Sequence, residues 1–139
     1  MCFWKLECST GAPQGTVLAP FLFTLYTSDF RYNSKSCHIQ KYSKDTAVVA
    51  CVHGGQEKEY RDLVESFNGW TKNNCLLLNT TKTKELMVDF RRSKTPCQSL
   101  CIDVGEIETV QTYKYLGVVL DNKLEWSANV EAVYRRGQS

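Results

Sequence analysis

The sequence has no strong excess of either charge, no long apolar run and no signal-peptide pattern. Its 17 basic and 15 acidic residues give a net charge of +2, which does not by itself identify a nucleic-acid partner. The apolar stretch at residues 17–26 is too short to span a membrane, and the N-terminus lacks the basic flank and apolar core of a signal peptide. These absences predict a nuclear or cytoplasmic protein without a membrane partner.

The sequence also lacks a paired cysteine motif. Its seven cysteines are an odd number, and none has the Cys-x-x-Cys spacing of a zinc knuckle or redox pair. Several lie in apolar runs, as Cys51 does after Val48, Val49 and Ala50. We therefore expect small buried thiols in a reducing compartment.

The hydrophobic pattern predicts one α+β domain. The 139 residues show no repeat, linker or low-complexity segment, and their composition is that of a globular protein. Apolar residues at helical spacing predict helices that begin at residues 16, 56 and 124 and end near 29–33, 71 and 136. Strand patterns cover 38–42, 46–52, 85–90, 100–104, 106–110 and 112–120, with a hairpin turn at Gly105.

Two segments are candidate functional motifs. The loop Gly11-Ala12-Pro13-Gln14-Gly15 precedes the first predicted helix, and Tyr42-Ser43-Lys44-Asp45 is a hairpin-sized connection between two predicted strands. Glycines allow close approach of the backbone to a substrate, and a loop that enters a helix presents free N–H donors. The structural alternative for the loop is a turn with a helix cap.

Four segments, in order, resemble the reverse transcriptase of non-LTR (LINE-type) retrotransposons. They are the loop Thr10–Gly15 with the helix that follows, the hairpin Tyr42–Thr46, the turn Leu78–Lys84 and the segment Tyr113–Val118. Their order and spacing are more specific than any single segment. The resemblance implies an RNA-directed DNA polymerase, a nucleotidyltransferase that has an RNA template and a DNA primer as partners.

The same resemblance implies the fold. Residues 1–120 would form a partial polymerase palm, a ferredoxin-like or RRM-like antiparallel sheet with helices on one face. Residues 121–139 would begin the thumb, so that short C-terminal strands lead into a truncated thumb helix. The family's aspartate-bearing strand before the loop is absent, because the chain begins about where that strand would have ended. We expect an exposed sheet edge there and self-association through it.

The metal site of the resembled family is altered in this sequence. Polymerases use two divalent ions about 3.5–4 Å apart, and Mg²⁺ prefers carboxylate oxygens. In the family, two adjacent aspartates at the hairpin tip hold these ions, but here Lys44 replaces the first of them. Asp45 is therefore the catalytic metal ligand that remains, and no motif supports Glu7 as a substitute. We expect an inactive polymerase in a family that uses Mg²⁺.

The resemblance implies roles for three further groups of residues. Lys82 would be a catalytic acid or charge stabiliser near the nucleotide phosphates, and an exposed turn lysine is the alternative. Tyr115, Leu116 and Gly117 would bind the primer end, or would form a strand with a glycine kink. The template and incoming nucleotide would be contacted by Gly11, Pro13, Gln14, Gly15, Tyr42 and Ser43.

Three functions follow from these observations. The first is a reverse transcriptase fragment without polymerase activity. The second is a non-catalytic nucleic-acid-binding or interaction module that keeps the loop, Lys82, the Arg91/Arg92 pair and the primer-binding segment. The third is a polymerase subunit to which another chain supplies the missing aspartate, and Lys44 argues against this function.

Overall fold

The computed structural model describes residues 2–4, 6–7, 18–43, 45–54, 57–92 and 98–138. Gly11, Pro13, Gln14, Gly15 and Lys44 lie outside these ranges, so their predicted roles stay predictions. The helices within the ranges are α1 (Leu18–Tyr26), α2 (Lys58–Asn73) and α3 (Ser127–Gly137). The strands are β1 (Cys2–Trp4), β2 (Leu6–Glu7), β3 (Cys37–Tyr42), β4 (Asp45–Ala50), β5 (Lys84–Met87), β6 (Cys101–Ile102), β7 (Gly105–Glu106), β8 (Glu108–Val110), β9 (Thr112–Tyr115) and β10 (Val118–Asp121).

The main sheet is built around β4, which has a neighbour on each side. β3 pairs antiparallel with β4 along the whole length of β4. β1 and β2 therefore pair with the other edge of β4. β1 and β2 keep one register, with Cys2 opposite Ala50 and Glu7 opposite Asp45, and they therefore act as one interrupted strand. β5 pairs antiparallel with β1, and β8 pairs parallel with β5. The outer strands of the described sheet are thus β3 and β8, and β4 is interior.

The core lies between α2 and one face of this sheet. The apolar residues of α2 recur at helical spacing, and Tyr60, Leu63, Val64 and Phe67 are at most 3% exposed. Burial of each such side chain contributes about 1.5–3 kcal/mol. The predicted helix over 56–71 and the hairpin over 38–52 are therefore confirmed, with small shifts at their ends. The core partners of α2 are Val48, Ala50, Leu100, Ile102 and Ile107.

Helix α1 ends earlier than its apolar pattern predicted and is poorly buried. The hydroxyl of Thr27 donates to the carbonyl oxygen of Phe23 at 2.9 Å, and that of Ser28 donates to the carbonyl oxygen of Leu25 at 2.7 Å. Such local bonds compete with continuation of a helix. The apolar side chains of α1 are largely exposed, from 51% to 65% for Leu18, Phe21, Leu22, Leu25 and Tyr26.

Two predictions for the C-terminal strands were wrong. Residues 112–120 form a hairpin, not one kinked strand, because Leu116 (φ 46°) and Gly117 (φ 89°) reverse the chain between β9 and β10. Residues 108–110 were predicted to belong to the second strand of the hairpin that turns at Gly105. They instead pair with β5 and form strand β8 of the main sheet. The packing at Gly105 is tight, since a Cβ atom there would lie 3.2 Å from the Cβ of Thr80 and Thr80 would have to shift by a few tenths of an ångström.

The exposure of the described cysteines differs from the predicted burial. Cys51, Cys75 and Cys101 are exposed, so the prediction of buried thiols was wrong for these three residues, whereas Cys37 is half-buried and packs against the core. The positions of the three exposed residues at strand ends and in turns explain this exposure.

In the described ranges, no helix combines the length and apolar character needed to cross a membrane.

Candidate active site

The hairpin tip places Tyr42 and Asp45 directly opposite each other. Tyr42 ends β3, Asp45 begins β4, and Ser43 between them has a φ of 52°. Alternate residues of a strand point to opposite faces, and Val48 and Ala50 point toward α2. Asp45 and Tyr42 therefore lie on the sheet face opposite α2. Tyr42 is 60% exposed, so the hairpin tip presents an aromatic side chain to solvent.

The register of the sheet gives Asp45 a second neighbour. Glu7 of β2 lies opposite Asp45 on the edge of β4 that β3 does not occupy. Asp45 thus lies between Tyr42 and Glu7 across the sheet. Sequence reasoning gave Glu7 no role, because its spacing from other motifs carries no signal. Only the pairing of two distant segments reveals this position.

The turn that contains Lys82 lies at the same end of the main sheet as the hairpin tip. β4 and β5 both pair antiparallel with β1, so they run in the same direction and begin at the same end. Asp45 is the first residue of β4, and Lys82 precedes the first residue of β5 by two positions. Asn79 orders the turn, since its carboxamide oxygen accepts from the hydroxyl of Thr81 and the amide of Lys82. Lys82 is exposed, as both interpretations of this residue require.

The predicted primer-binding residues lie on a different sheet. Tyr115 is opposite Val118 in the β9–β10 hairpin, and Leu116 and Gly117 form its turn. Helix α3 is attached to this hairpin by two hydrogen bonds. The guanidinium of Arg136 donates to the carbonyl oxygen of Gly117 at 3.1 Å, and Asn129 accepts from the amide of Val119 at 3.0 Å. The sheet pairing therefore does not unite this turn with Asp45.

The connection from β10 to α3 is ordered by Asp121. Its Oδ1 accepts from the amides of Lys123 at 2.9 Å and Glu125 at 3.1 Å. The bond from the Glu125 amide is the main cause that lowers the pKa of Asp121. The hairpin and α3 thus form one unit at the end of the chain.

The described residues do not supply the ligand set of a two-metal polymerase site. They contain no group of three or more His, Cys, Asp or Glu side chains that could hold a metal ion. Asp45 is the acidic residue of the hairpin tip, where the resemblance in the sequence implies two adjacent aspartates. A carboxylate cluster is what Mg²⁺ needs from a protein site of this kind. The donor set seen here therefore does not fit two ions.

Comparison with known proteins identifies the family. The sequence profile "Reverse transcriptase (RNA-dependent DNA polymerase)" matches residues 4–120. The chain is 29% identical over 91% of its length to "RNA-directed DNA polymerase from mobile element jockey" of Drosophila melanogaster. It is 26% identical over 92% of its length to "Probable RNA-directed DNA polymerase from transposon X-element" of the same species. No solved structure matches the chain.

The chain therefore belongs to the reverse transcriptase family. Its relatives are named as RNA-directed DNA polymerases of mobile elements, which agrees with the resemblance to retrotransposon reverse transcriptases that the sequence motifs carry. The chain covers 15% and 14% of the length of these two relatives, so it corresponds to part of such a polymerase. The family generally uses divalent metal ions and a nucleic-acid template and primer.

Proposed function

We propose that this chain is a nucleic-acid-binding palm segment of a retrotransposon reverse transcriptase and that it does not add nucleotides by itself. The observation that carries the proposal is the hairpin tip, where Asp45 is the acidic residue and Lys44 replaces its partner. An ammonium about 4 Å from a divalent ion costs up to about 8 kcal/mol at an effective dielectric near 20. Lys44 can turn away from a metal ion, but it cannot replace the missing oxygen ligand.

We assign residues 1–120 to the palm and residues 121–139 to the beginning of the thumb. Support for a palm comes from the main sheet, which has α2 on one face and Asp45 on the other. The unit formed by β9, β10 and α3 is a separate sheet with its own helix. That unit begins at Thr112, so the structural change falls earlier than residue 120.

The proposed site roles divide between the two sheets. Tyr42, Ser43, Asp45 and Lys82 share one end of the main sheet, where we place template and incoming nucleotide, and Asp45 is the carboxylate that remains of the family's Mg²⁺ site. Leu116 and Gly117 form an exposed hairpin turn, and with Tyr115 at the end of β9 they are suited to contact with the DNA primer. Gly11, Pro13, Gln14 and Gly15 keep the nucleotide-binding role that the family motif gives them.

A primer-extension assay tests the absence of catalysis. The chain is incubated with an RNA template, an annealed DNA primer and deoxynucleotides, with Mg²⁺ or Mn²⁺. We expect no template-dependent extension by the wild type. Lys44→Asp should also be inactive, since the ligand set remains incomplete. Template-dependent extension by the wild-type chain would overturn the proposal.

A binding assay tests the other half of the proposal. We expect the chain to bind an RNA–DNA hybrid at low salt and to lose affinity as salt rises, because phosphate contacts release counterions. Fluorescence anisotropy with a labelled hybrid measures this. Absence of binding at low salt would contradict a nucleic-acid-binding role.

A further inference from the structure

An open cavity of about 510 Å³ lies between β3 and the connection from α1 to β3. Its volume is within the range of about 300–1,000 Å³ that is common for ligand sites. Residues of the connection form one wall, and residues of β3 form the other. Ser43 of the hairpin tip also lines the cavity, which therefore adjoins the candidate active site.

The cavity has a basic lining. Arg31, His38 and Lys41 line it, and none of the described lining residues is Asp or Glu. Two carboxylates nearby in the chain are bound elsewhere. Asp29 accepts from the indole N–H of Trp70 at 3.3 Å, and Glu59 accepts from the hydroxyls of Ser34 and Ser36 in the connection. A concave surface of one charge sign attracts ions of the opposite sign.

Lys41 is a fixed charge in the cavity wall. Its Nζ donates to the carbonyl oxygens of Thr27 and Phe30, the latter at 3.4 Å. The same Nζ lies 5.4 Å from the ring centroid of Phe30 and 5.2 Å from that of Trp70. These contacts hold the connection against β3 and keep the ammonium beside the cavity.

Arg31 and His38 are the basic groups available to a ligand. Both are exposed, and neither side chain makes a hydrogen bond or ion pair with another residue in the described part of the chain. His38 is on the same side of β3 as Gln40 and Tyr42, because alternate residues share a face. Arginine binds phosphate oxygens through two parallel N–H donors, and histidine can donate a third hydrogen bond.

We propose that this cavity binds a phosphate group, carried by a nucleic-acid strand or by a free nucleotide. Arg31 and His38 contact the phosphate oxygens, and Lys41 supplies fixed positive charge. This inference rests on the proposed nucleic-acid-binding function and adds a site outside the family motifs. A strand bound in the cavity would touch Ser43 and so approach the hairpin tip from the β3 side.

Two charge-matched double variants test the site. Arg31→Gln/His38→Gln removes both ligand-facing groups. Lys35→Gln/His53→Gln removes one cation and one histidine at exposed positions that do not line the cavity. Binding of a fluorescein-labelled single-stranded RNA is followed by anisotropy at low salt, and thermal melting verifies that both variants fold. Arg31→Lys, which keeps the charge and removes the two-pronged donor, provides a milder variant.

The site variant should bind at least about tenfold more weakly, and the slope of its salt dependence should fall by about 0.7 for each phosphate that the chain no longer neutralises. The matched control should stay within about twofold of the wild type, with an unchanged slope, because isolated surface charges contribute little. Displacement of the RNA by a nucleoside triphosphate or inorganic phosphate at constant ionic strength identifies a mononucleotide site. Displacement by unlabelled oligonucleotide alone identifies a strand site.

Equal losses of affinity in the two double variants, or no loss in either, would overturn the inference and leave the proposed function standing. A wild-type chain that binds neither RNA nor hybrid would instead remove the proposed function. The two failures are therefore distinguishable in the same set of measurements.

Discussion

The phenol of Tyr60 donates a hydrogen bond of 3.1 Å to the carboxylate of Glu85, which is only 1% exposed. The hydroxyl of Thr109 donates to the other carboxylate oxygen at 3.2 Å. One buried acid thus joins α2 to β5 and β8. Burial raises the pKa of Glu85, while the hydrogen bonds from Tyr60 and Thr109 oppose that rise.

This environment predicts how stability depends on pH. Because the pKa of Glu85 is raised by folding, the folded state holds a proton that the unfolded state releases above about pH 4.3. Stability should therefore fall as pH rises from the unfolded-state pKa through the folded-state pKa. Glu85→Gln cannot ionise, so its stability relative to the wild type should increase as pH rises from about 4.3 through the folded-state pKa of Glu85.

Urea unfolding at several pH values measures this difference. Glu106→Gln is a suitable control, because it makes the same change at an exposed position. A difference between Glu85→Gln and the wild type that is constant with pH would contradict the prediction.

Removal of the Tyr60 hydroxyl should destabilise the fold. Tyr60→Phe takes one donor from a buried carboxylate, and a buried polar group that loses a partner costs about 1–3 kcal/mol. Tyr134→Phe changes a 65% exposed phenol and should cost less than about 0.5 kcal/mol. Chemical denaturation of both variants makes the comparison, and equal costs would show that the Glu85 bond contributes nothing.

Two leucines on different helices test where the core lies. Leu63 of α2 is 0% exposed and Leu22 of α1 is 55% exposed. Leu63→Ala should cost about 2–5 kcal/mol through reduced burial and a cavity, and Leu22→Ala no more than about 0.5 kcal/mol. Free energies of unfolding measure both. A large cost for Leu22→Ala would mean that α1 is packed in solution.

The turn of the β9–β10 hairpin can be improved. Leu116 has a φ of 46°, a left-handed conformation that costs an ordinary residue about 1–2 kcal/mol. Asparagine followed by glycine is favoured in two-residue turns of this kind. Leu116→Asn should therefore stabilise the hairpin by up to about 1 kcal/mol, seen as slower hydrogen exchange of its amides. Leu116→Ala keeps the unfavourable φ and should give no such gain.

Local sequence patterns correctly predicted the elements in which the spacing of apolar residues matches the buried face. The apolar spacing of α2 and the continuous apolar run of β4 match their burial closely, because each packs against the other. The pattern failed for residues 112–120, because a two-residue turn leaves the alternation of β9 and β10 almost unbroken. For α1, helical spacing identified an apolar surface, but spacing carries no information about which element covers it.

The candidate site was predicted in part for a similar reason. Tyr42, Ser43 and Asp45 are consecutive along the hairpin or nearly so, and their proximity follows from sequence. The positions of Glu7 and Lys82 depend on which strands pair and in which register. Those pairings join segments far apart in the chain, and a single sequence does not encode them in any local period.

Pairing on both sides of β4 has a consequence for reconstitution. A β-strand has two hydrogen-bonding edges, and those of β4 are occupied by β3 and by the strand formed from β1 and β2. A polypeptide that brought another carboxylate beside Asp45 by pairing with the edge of β4 away from β3 would first have to displace β1 and β2. Complementation in trans would then be a strand-exchange reaction. Its rate would be limited by how often the strand formed from β1 and β2 detaches. Above a high concentration of the added polypeptide, the rate would no longer increase.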